Sequence, residues 1–426
     1  MTQTKLRVFG YHDGVTAVNS YRLWSPLDYL NISGIAETNY LPKVPLDTLH
    51  IPIDYDPKDE KYNPTIGSIN QHYEWADLVV TQKTNNFQEW VLHQAAAELH
   101  GKPFIVDIDD NIFKTEIDNK AFEKYRPRAM HELFDIQKIA GGDAEAQDYA
   151  RRGYNVYPTK IGQYFVIKPK DSSESTYTLA MIQDAAAVTV TNETLARVVR
   201  QFNRNVYVLP NYIDPRYWEG VNKSTTPKTW VDVGWYGGDS HYIDLMIIKD
   251  VITWLMESCD NARFVWSGIR PDFLIELQKQ YPERMVYKTW EQNVFAWPEN
   301  FASMNIDVML APLRDSEFSR SKSNIKWMES AMLRIPVIAS DVEPYQTISH
   351  GKTGFLCNNF KDWTTALKSM IKNTERRTLI GNQAYDEICA KYWLPDQIHR
   401  WVKVYEEVIS RYTLAKRGIV TTTGVI

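Results

Sequence analysis

Short apolar runs recur along most of the chain, each followed by a polar loop and a segment in which apolar residues have helical spacing. One series begins at WVDVGWYG (230–237) and continues through 262–268, 284–290, 306–313 and 335–341. An earlier series begins at KLRVFGY (5–11) and continues through 47–54, 76–82, 102–110, 185–192 and 205–214. Alternation of this kind is typical of parallel sheets with crossover helices. The sequence therefore predicts an α/β chain made of two copies of one doubly wound architecture.

The two series divide the 426 residues as the length prior for two domains requires. We expect a first domain at 1–212, with an insertion at about 115–177 where the alternation stops. A hairpin is expected there, turning at 160–162. The second domain is expected at 213–395, after which a helix at 396–414 can pack back on the first domain and a tail occupies 415–426.

Composition narrows the class of protein. The formal net charge of −5 argues against a protein that coats nucleic acid non-specifically. The three cysteines lie far apart without C-x-x-C spacing, which argues against structural zinc and disulfides and indicates a reducing compartment. The sequence has no signal-peptide core at its start and no run of 18 apolar residues. We therefore expect a cytoplasmic protein without a transmembrane segment; a peripheral position at the inner membrane face, or a host cytoplasm for a phage protein, remains open.

The richest stretch is LAPLRDSEFSRSKSNIKWMESAMLRIPVIASD (310–341). A strand is followed by a polar loop, and a helix is predicted to begin near Ser323 or Asn324, both good N-cap residues. Charged residues surround this start: Arg320, Lys322, Lys326 and Glu329, the last three spaced to share one helix face. A basic helix N-terminus favours pyrophosphate, and the acid one turn on can accept hydrogen bonds from a ribose diol. The alternative is a solvated basic helix start with a surface glutamate.

This stretch resembles the signature of the retaining GT-B glycosyltransferases, the large family-4 group (glycosyl transferases group 1). Glu329, Ala331 and PVIAS (336–340) fall on the second half of the signature, and HGKTGFLC (350–357) is similar to the turn that follows it. The first acid of the signature falls on Ser321, a departure that concerns the orientation of the donor sugar. The SRSKSN loop resembles a subgroup in which a basic Ser-Lys-Ser loop replaces the acidic glycine loop.

Five further segments resemble the same subgroup in the same order: 19–30, 102–113, 188–199, 207–218 and 233–245. The resemblance implies a GT-B fold, in which two Rossmann-like domains face a cleft and the second binds a nucleotide-sugar. It also implies transfer with retention of anomeric configuration. The nucleotide-sugar is then a co-substrate, with no tightly bound cofactor and no required divalent metal.

Further donor-site candidates lie in two loops of the second half. Gly237 and Gly238 follow a strand and allow close backbone approach to a ligand, although a tight turn would also use them. His241 is the nearby basic residue, and Trp290 can stack on the base or simply pack. The predicted donor-binding set is therefore Gly237, Gly238, His241, Trp290, Arg320, Ser321, Ser323, Asn324 and Glu329.

Acidic residues end the strand at 102–110. Asp107 and Asp109 match the D-x-D motif of metal-dependent GT-A enzymes. In a GT-B arrangement the same loop faces the cleft, where a carboxylate can help to deprotonate the acceptor hydroxyl; a helix cap with solvated acids is the alternative. We predict Asp109, Asp110, Lys322 and Lys326 as catalytic residues, without a metal. On the acceptor side we predict His12, Asp13 and Arg22, the last of which either reaches the diphosphate or pairs within its helix.

The acceptor is left open by the sequence. A glycan or lipid-linked precursor is one class, and a polymer such as hydroxymethylated phage DNA is another. A basic lobe interleaved with aromatic residues supports the second: Lys120, Lys124, Arg126, Arg128, Arg151, Arg152, Lys160, Lys168 and Lys170. A non-catalytic GT-B relative that binds nucleotide or glycan is the third hypothesis, supported by Ser321.

Overall fold

Two six-stranded parallel sheets form the centres of the two halves of the chain. The computed structural model describes residues 5–12, 16–41, 66–83, 87–115, 134–139, 143–152, 155–158, 164–169, 174–224, 226–291 and 293–417, and the statements below concern these residues. The strands in chain order are β1 Leu6–Tyr11, β2 Ala36–Leu41, β3 Leu78–Gln82, β4 Phe104–Ile108, β5 Phe134–Ile139, β6 Asn155–Pro158, β7 Tyr164–Pro169, β8 Ala187–Val190, β9 Val206–Val208, β10 Val231–Gly237, β11 Ala262–Gly268, β12 Met285–Lys288, β13 Val308–Ala311, β14 Val337–Ser340 and β15 Phe355–Cys357.

The strand orders place a topological switch point in each sheet. The first sheet runs β2-β1-β3-β4-β8-β9 and the second runs β12-β11-β10-β13-β14-β15. The central strands are rich in Val, Ile and Leu and are buried on both faces, as a parallel sheet covered by helices requires. In such sheets ligands bind beyond the carboxyl ends of the strands where the order reverses. In the second sheet that point lies between β10 and β13.

Helices cover both sheets. In chain order they are α1 Ala17–Asn19, α2 Ser25–Ile32, α3 Ile66–Trp75, α4 Phe87–His100, α5 Asp143–Arg151, α6 Glu174–Asp184, α7 Glu193–Val199, α8 Tyr242–Ile247, α9 Lys249–Ser258, α10 Asp272–Gln280, α11 Trp297–Ser303, α12 Glu317–Arg320, α13 Ile325–Met332, α14 Phe360–Lys372, α15 Thr374–Lys391, α16 Leu394–Gln397 and α17 His399–Lys416. A π-helical turn, Ser20–Trp24, joins α1 to α2. Such turns often occur at functional sites.

Most of the predicted strands are present, and three were missed: β2, β5 and β15. The β5 strand lies within the expected insertion, where only a hairpin was predicted. The β2 strand, AETNYL, is an edge strand with mixed exposure, so it shows no apolar run. The β15 strand has only three residues within what reads as a turn. The predicted run at 47–54 lies outside the described residues. The expected hairpin is present as the antiparallel pair β6–β7 in a small sheet of order β5-β7-β6, with its turn at 159–163 outside the described residues.

The last helix, α17, packs on the first sheet rather than on the second. Trp401, Tyr405 and Val408 share a buried cluster with Val8 of β1 and Ile105 of β4. The chain enters α16 beside the crossing between the halves, because Leu394 donates its backbone N–H to the Ile213 carbonyl at 2.9 Å. Within the described part of the chain, no helix combines the length and the apolar character needed to cross a membrane.

Candidate active site between the two sheets

A pocket of about 550 Å³ lies between the two halves, at the carboxyl end of β10. Its first-half wall comes from the start of the α1–α2 region, including Tyr21. Its second-half wall includes Gly237, Gly238, His241, Trp290, Lys326 and Glu329. The pocket therefore brings together six of the predicted site residues, from the end of β10, from the loops after β10 and β12 and from helix α13.

A smaller pocket of about 190 Å³ adjoins the first. It is lined by Asp109 and Asp110 from the loop after β4, and by Lys322 and Ser323 from the segment before α13. His241 and Lys326 line both pockets, so the two spaces meet at these side chains.

Glu329 is a buried residue in the wall of the larger pocket and accepts three hydrogen bonds. Its Oε1 accepts from the Tyr21 hydroxyl at 2.9 Å, and its Oε2 accepts from the Tyr236 hydroxyl at 2.6 Å and from Trp297 Nε1 at 3.1 Å. Burial raises the pKa of Glu329 above its usual value, although the three donors and Lys326 oppose the rise. Since Tyr21 belongs to the first half, this carboxylate joins the two halves across the cleft.

Lys326 is the buried cation of the site, with 6% of its surface exposed. Its Nζ lies 3.1 Å from His241 Nε2 and 5.4 Å from the centre of the Tyr236 ring. Burial and the neighbouring Lys322 ammonium lower the pKa of Lys326 to about 8, against the opposing effect of Asp244 and Glu329. Lys326 lies in the first turn of α13, where the helix dipole favours anions.

His241 is held neutral. Burial lowers its pKa to about 3, with further lowering by Lys326 and Lys322 and an opposing effect of Asp244. Its Nδ1 lies 2.8 Å from Asp244 Oδ2. The Asp244 carboxylate is itself buried, and its Oδ1 accepts a hydrogen bond from the Arg314 backbone N–H at 2.9 Å.

The acids after β4 have different roles. Asp107 is 2% exposed and its carboxylate is occupied by Gln82 Nε2 at 2.8 Å, by Thr189 Oγ1 at 2.6 Å and by Arg22. Asp109 pairs with Lys83; burial alone would raise the pKa of Asp109, but Lys83 and Arg22 hold it below its usual value. The Asp110 side chain is 39% exposed, and its Oδ1 lies 4.0 Å from Lys322 Nζ.

The D-x-D interpretation does not fit this arrangement, because the Asp107 carboxylate faces protein donors. Within the described ranges, no group of three or more His, Cys, Asp or Glu side chains is arranged to hold a metal ion.

Arg22 does not reach across the cleft, and its partner is not within its helix. Its guanidinium is buried and donates to Asp107 through Nε at 2.9 Å and Nη2 at 2.6 Å, and to Asn211 Oδ1 at 3.1 Å. It borders the smaller pocket while cross-linking β4 to the segment after β9. Most of the hydrogen-bond donors of this guanidinium are therefore occupied by acceptors of the first half.

Four predicted residues in the described part of the chain line neither pocket: Arg320, His12, Asn324 and Ser321. Arg320 pairs with Asp315 at 2.6 Å and its side chain is 51% exposed, so it points to solvent and not to a diphosphate. His12 is buried and its Nε2 accepts a hydrogen bond from Trp24 Nε1 at 2.6 Å. Asn324 is the N-cap residue of α13, but its side chain donates to Thr347 Oγ1 at 3.1 Å and does not cap the helix. Asp13 lies outside the described residues.

Ser321, the fourth, is buried in a contact between the halves. Its carbonyl accepts from Asn192 Nδ2 at 2.8 Å, and the same amide donates to the Lys322 carbonyl at 2.9 Å. Asn192 also caps α7 through Leu195 N at 2.8 Å. Ser321, which stands where the family has an acid, is thus part of a hydrogen-bonded contact between the halves. Lys322 lies between α12 and α13 and not on the helix face expected from its spacing.

Gly237, Gly238 and Trp290 line the larger pocket. A Cβ on Gly237 would meet the Trp235 ring at 2.7 Å, whereas one on Gly238 would meet nothing within 4 Å. Gly237 is therefore required by packing, and Gly238 leaves open space over the backbone. Trp290 is 38% exposed and its ring centre lies 5.5 Å from that of Trp297.

Five residues of the site were not predicted from the sequence: Tyr21, Tyr236, Trp297, Asp244 and Asn192. Two of them have a local signal: Tyr236 directly precedes the glycine pair, and Asp244 follows His241 by three residues. Tyr21 and Trp297 reach Glu329 only through the tertiary fold, since Tyr21 is 308 positions away.

Comparison with known proteins finds a family model that matches part of the chain and solved structures with the same fold. The sequence pattern of the family described as Glycosyl transferases group 1 matches residues 246–373, which include Lys326 and Glu329. No curated protein sequence matches the chain.

Solved structures match almost the whole chain. HepE from Anabaena, in complex with UDP-glucose, has 11% identity and a TM-score of 0.55, covering 96% of this chain and 100% of its own. A glycosyltransferase from Rickettsia africae has 12% identity and a TM-score of 0.56, covering 96% and 99%. Sucrose-phosphate synthase from Thermosynechococcus elongatus has 12% identity and a TM-score of 0.55, covering 95% and 100%.

At these identities the likeness to solved structures shows the fold, and the predicted GT-B class is confirmed. The family match to residues 246–373, together with this fold, supports the predicted enzyme class, a nucleotide-sugar-dependent glycosyltransferase.

Proposed function

We propose that the chain moves a sugar from a nucleotide-sugar donor to an acceptor hydroxyl in the cleft between its sheets, with retention of anomeric configuration. The observation that carries this proposal is Lys326. Its buried ammonium lies in the first turn of α13 and borders both pockets where they meet. A desolvated cation at a helix N-terminus is suited to a diphosphate leaving group.

The larger pocket suits the nucleotide. Trp290 offers an exposed aromatic face for the base. Glu329 Oε1 accepts from Tyr21, and a carboxylate oxygen has a second lone pair for a ribose hydroxyl. Gly238 leaves room for the backbone to approach the phosphates. In this arrangement the diphosphate lies between the glycine loop and Lys326, and the donor sugar extends towards the smaller pocket.

Catalysis in this site is chiefly electrostatic. As the bond from sugar to diphosphate breaks, negative charge develops on the leaving oxygen. Lys326, Lys322 and the N-terminal amides of α13 stabilise that charge in a site with little solvent. Retention follows if the acceptor attacks from the same face and its proton passes to the leaving phosphate. We propose that no divalent metal is needed, because these groups supply the positive charge.

The smaller pocket suits the acceptor hydroxyl. Asp109 is held ionised by Lys83, while Asp110 is the more exposed carboxylate of the pair. An ionised carboxylate beside the reacting hydroxyl orients it and can share its proton.

We propose a glycan, a lipid-linked glycan or another polymer as the acceptor. Of the basic residues that favour DNA, the structure shows the side chains of Arg151 and Arg152 alone. Both are exposed and lie 3.9 Å from Asp148.

The proposal is tested by screening UDP-, GDP-, ADP- and CMP-sugars for thermal stabilisation and for release of nucleoside diphosphate or monophosphate, with and without EDTA. The variant is Lys326→Ala. The matched control is Lys279→Ala, at a lysine on α10 whose side chain is 67% exposed. We expect one donor to stabilise and turn over in wild type and control, with or without EDTA, and to lose both effects in Lys326→Ala.

Three results would count against parts of the proposal. Binding without hydrolysis or transfer would favour the non-catalytic alternative. Strict dependence on a divalent metal would overturn the proposed charge balance. A product whose anomeric proton coupling shows inversion relative to the donor would overturn retention.

A further inference from the structure

Beside the proposed diphosphate site, three polar side chains form a hydrogen-bonded line: Asp244, His241 and Lys326. Asp244 Oδ2 lies 2.8 Å from His241 Nδ1, and His241 Nε2 lies 3.1 Å from Lys326 Nζ. We infer that Asp244 is a positioning residue, which fixes the tautomer of His241 so that Nε2 accepts a hydrogen bond from Lys326 and holds its ammonium at the junction of the two pockets. This inference rests on the proposed function for the identity of the ligand, but its geometry does not.

The hydrogen-bond chemistry of the line allows one assignment. The Asp244 carboxylate is an acceptor, so the ring nitrogen facing it must carry the proton. A neutral imidazole then has a lone pair on Nε2. The Lys326 ammonium has donors and no acceptor, so it can face Nε2 only in this tautomer.

The opposite tautomer would place an N–H against the ammonium. A doubly protonated ring would do the same and would add a like charge. Both states are disfavoured in a buried site beside Lys326 and Lys322.

The line also connects the two loops that flank the switch point of the second sheet. His241 ends a short turn, Asp239–His241, that follows β10, and Asp244 lies in α8 just after it. Asp244 Oδ1 accepts from the backbone N–H of Arg314, in the loop after β13. Asp244 therefore has one oxygen for each loop, and both of its oxygens are engaged.

This double engagement makes Asp244→Asn a sharp test. The Arg314 N–H can only donate, so the oxygen of the new amide must face it. The amide nitrogen then faces His241 Nδ1 and donates to it. The imidazole proton moves to Nε2, where it opposes the Lys326 ammonium. The substitution changes no side-chain size, yet it reverses the polarity of the whole line.

The first readout is the imidazole tautomer. Two-bond nitrogen–proton spectra of protein labelled at histidine distinguish Nδ1–H from Nε2–H rings, and the signal missing in His241→Gln identifies His241 among the nine histidines. We expect Nδ1–H in wild type and Nε2–H in Asp244→Asn. Asp250→Asn, at an exposed position on α9, should leave the wild-type spectrum unchanged.

The second readout is turnover of the donor found in the screen. Loss of an oriented hydrogen bond to a charged group should lower kcat/KM by about tenfold to hundredfold in Asp244→Asn. In the His241→Ala background the same substitution should change kcat/KM by less than about twofold, because Asp244 acts through the ring. A purely structural role of Asp244 would give the same loss in both backgrounds.

The outcomes separate this inference from the proposed function. If no nucleotide-sugar is turned over, the proposed function fails, but the tautomer measurement still decides the inference. An Nε2–H ring in wild type would overturn it without any variant. An unchanged tautomer in folded Asp244→Asn, or equal losses of kcat/KM in the two backgrounds, would overturn it as well.

Discussion

The charge on Lys326 should lower the stability of the protein. Its pKa of about 8, compared with an ordinary 10.5, means that the folded chain binds this proton less tightly than the unfolded chain does. A shift of this size corresponds to about 3 kcal/mol against folding at pH 7. The contact of the ammonium with the Tyr236 ring does not offset this cost in full. We therefore expect Lys326→Met, which keeps a flexible side chain of similar length, to stabilise the fold by about 3 kcal/mol at pH 7.

The effect has a defined pH dependence. Above the unfolded pKa of 10.5, Lys326 is neutral in both states and its charge does not reduce the free energy of unfolding. The reduction develops as pH falls from 10.5 through 8, because the unfolded chain takes up the proton first. The gap between Lys326→Met and wild type should therefore be largest below pH 8 and should close towards pH 10.5. Urea unfolding at pH 7, 9 and 10 measures it, with Lys279→Met as an exposed control expected to stay within about 0.5 kcal/mol of wild type.

Stability and ligand binding should change in opposite directions. Lys326→Met should be more stable than wild type and yet should fail to bind a nucleoside diphosphate. Such a trade is expected where a buried charge is kept for function. A Lys326→Met variant that is less stable at pH 7, with a gap that does not vary with pH, would refute the claim that this ammonium is held in an unfavourable site.

Three further predictions concern proton uptake and the packing of the first half. Because phosphate charge favours the ammonium form of Lys326, diphosphate binding to wild type should take up about half a proton at pH 8 and under about 0.1 at pH 6.5. Calorimetry in buffers of different ionisation enthalpy measures this uptake, and equal uptake at both pH values would contradict the prediction. Arg22→Met leaves Asp107 buried without its cation and should lower the free energy of unfolding in urea by about 3–5 kcal/mol. Part of this loss should be recovered in Arg22→Met/Asp107→Leu. A loss below about 1 kcal/mol would show that the pair is not buried as described. Trp401→Ala should cost about 3–5 kcal/mol and should increase hydrogen exchange in the first sheet, whereas exchange confined to α17 would mean that the helix does not support that sheet.

The sequence predicts most of the sheet strands because their signal is local. Buried parallel strands such as β4 and β13 are continuous apolar runs, and those runs stand out against polar loops. The β2 strand was not predicted because it lies at the edge of its sheet, where polar residues are tolerated and no apolar run marks the strand. The second sheet also follows the strand order expected for a nucleotide-binding half, with the glycine pair at its switch point.

The candidate site is predictable only in part. Lys326 and Glu329 could be chosen because a helix start and a spacing of three residues are visible in the sequence. The sequence could not exclude Arg320 from the site, because its pairing with Asp315 depends on how the short helix α12 folds. The partners of Glu329 and of Arg22 come from distant segments, 308 and 85 positions away, and no local pattern encodes such contacts.

A crystal structure of the protein with the nucleoside diphosphate selected by the screen would test the central claim most directly. We predict a diphosphate oxygen within hydrogen-bond distance of Lys326 Nζ, a ribose hydroxyl on Glu329 and the base against Trp290. A diphosphate bound away from α13, or held through a divalent metal at Asp109 and Asp110, would contradict the account.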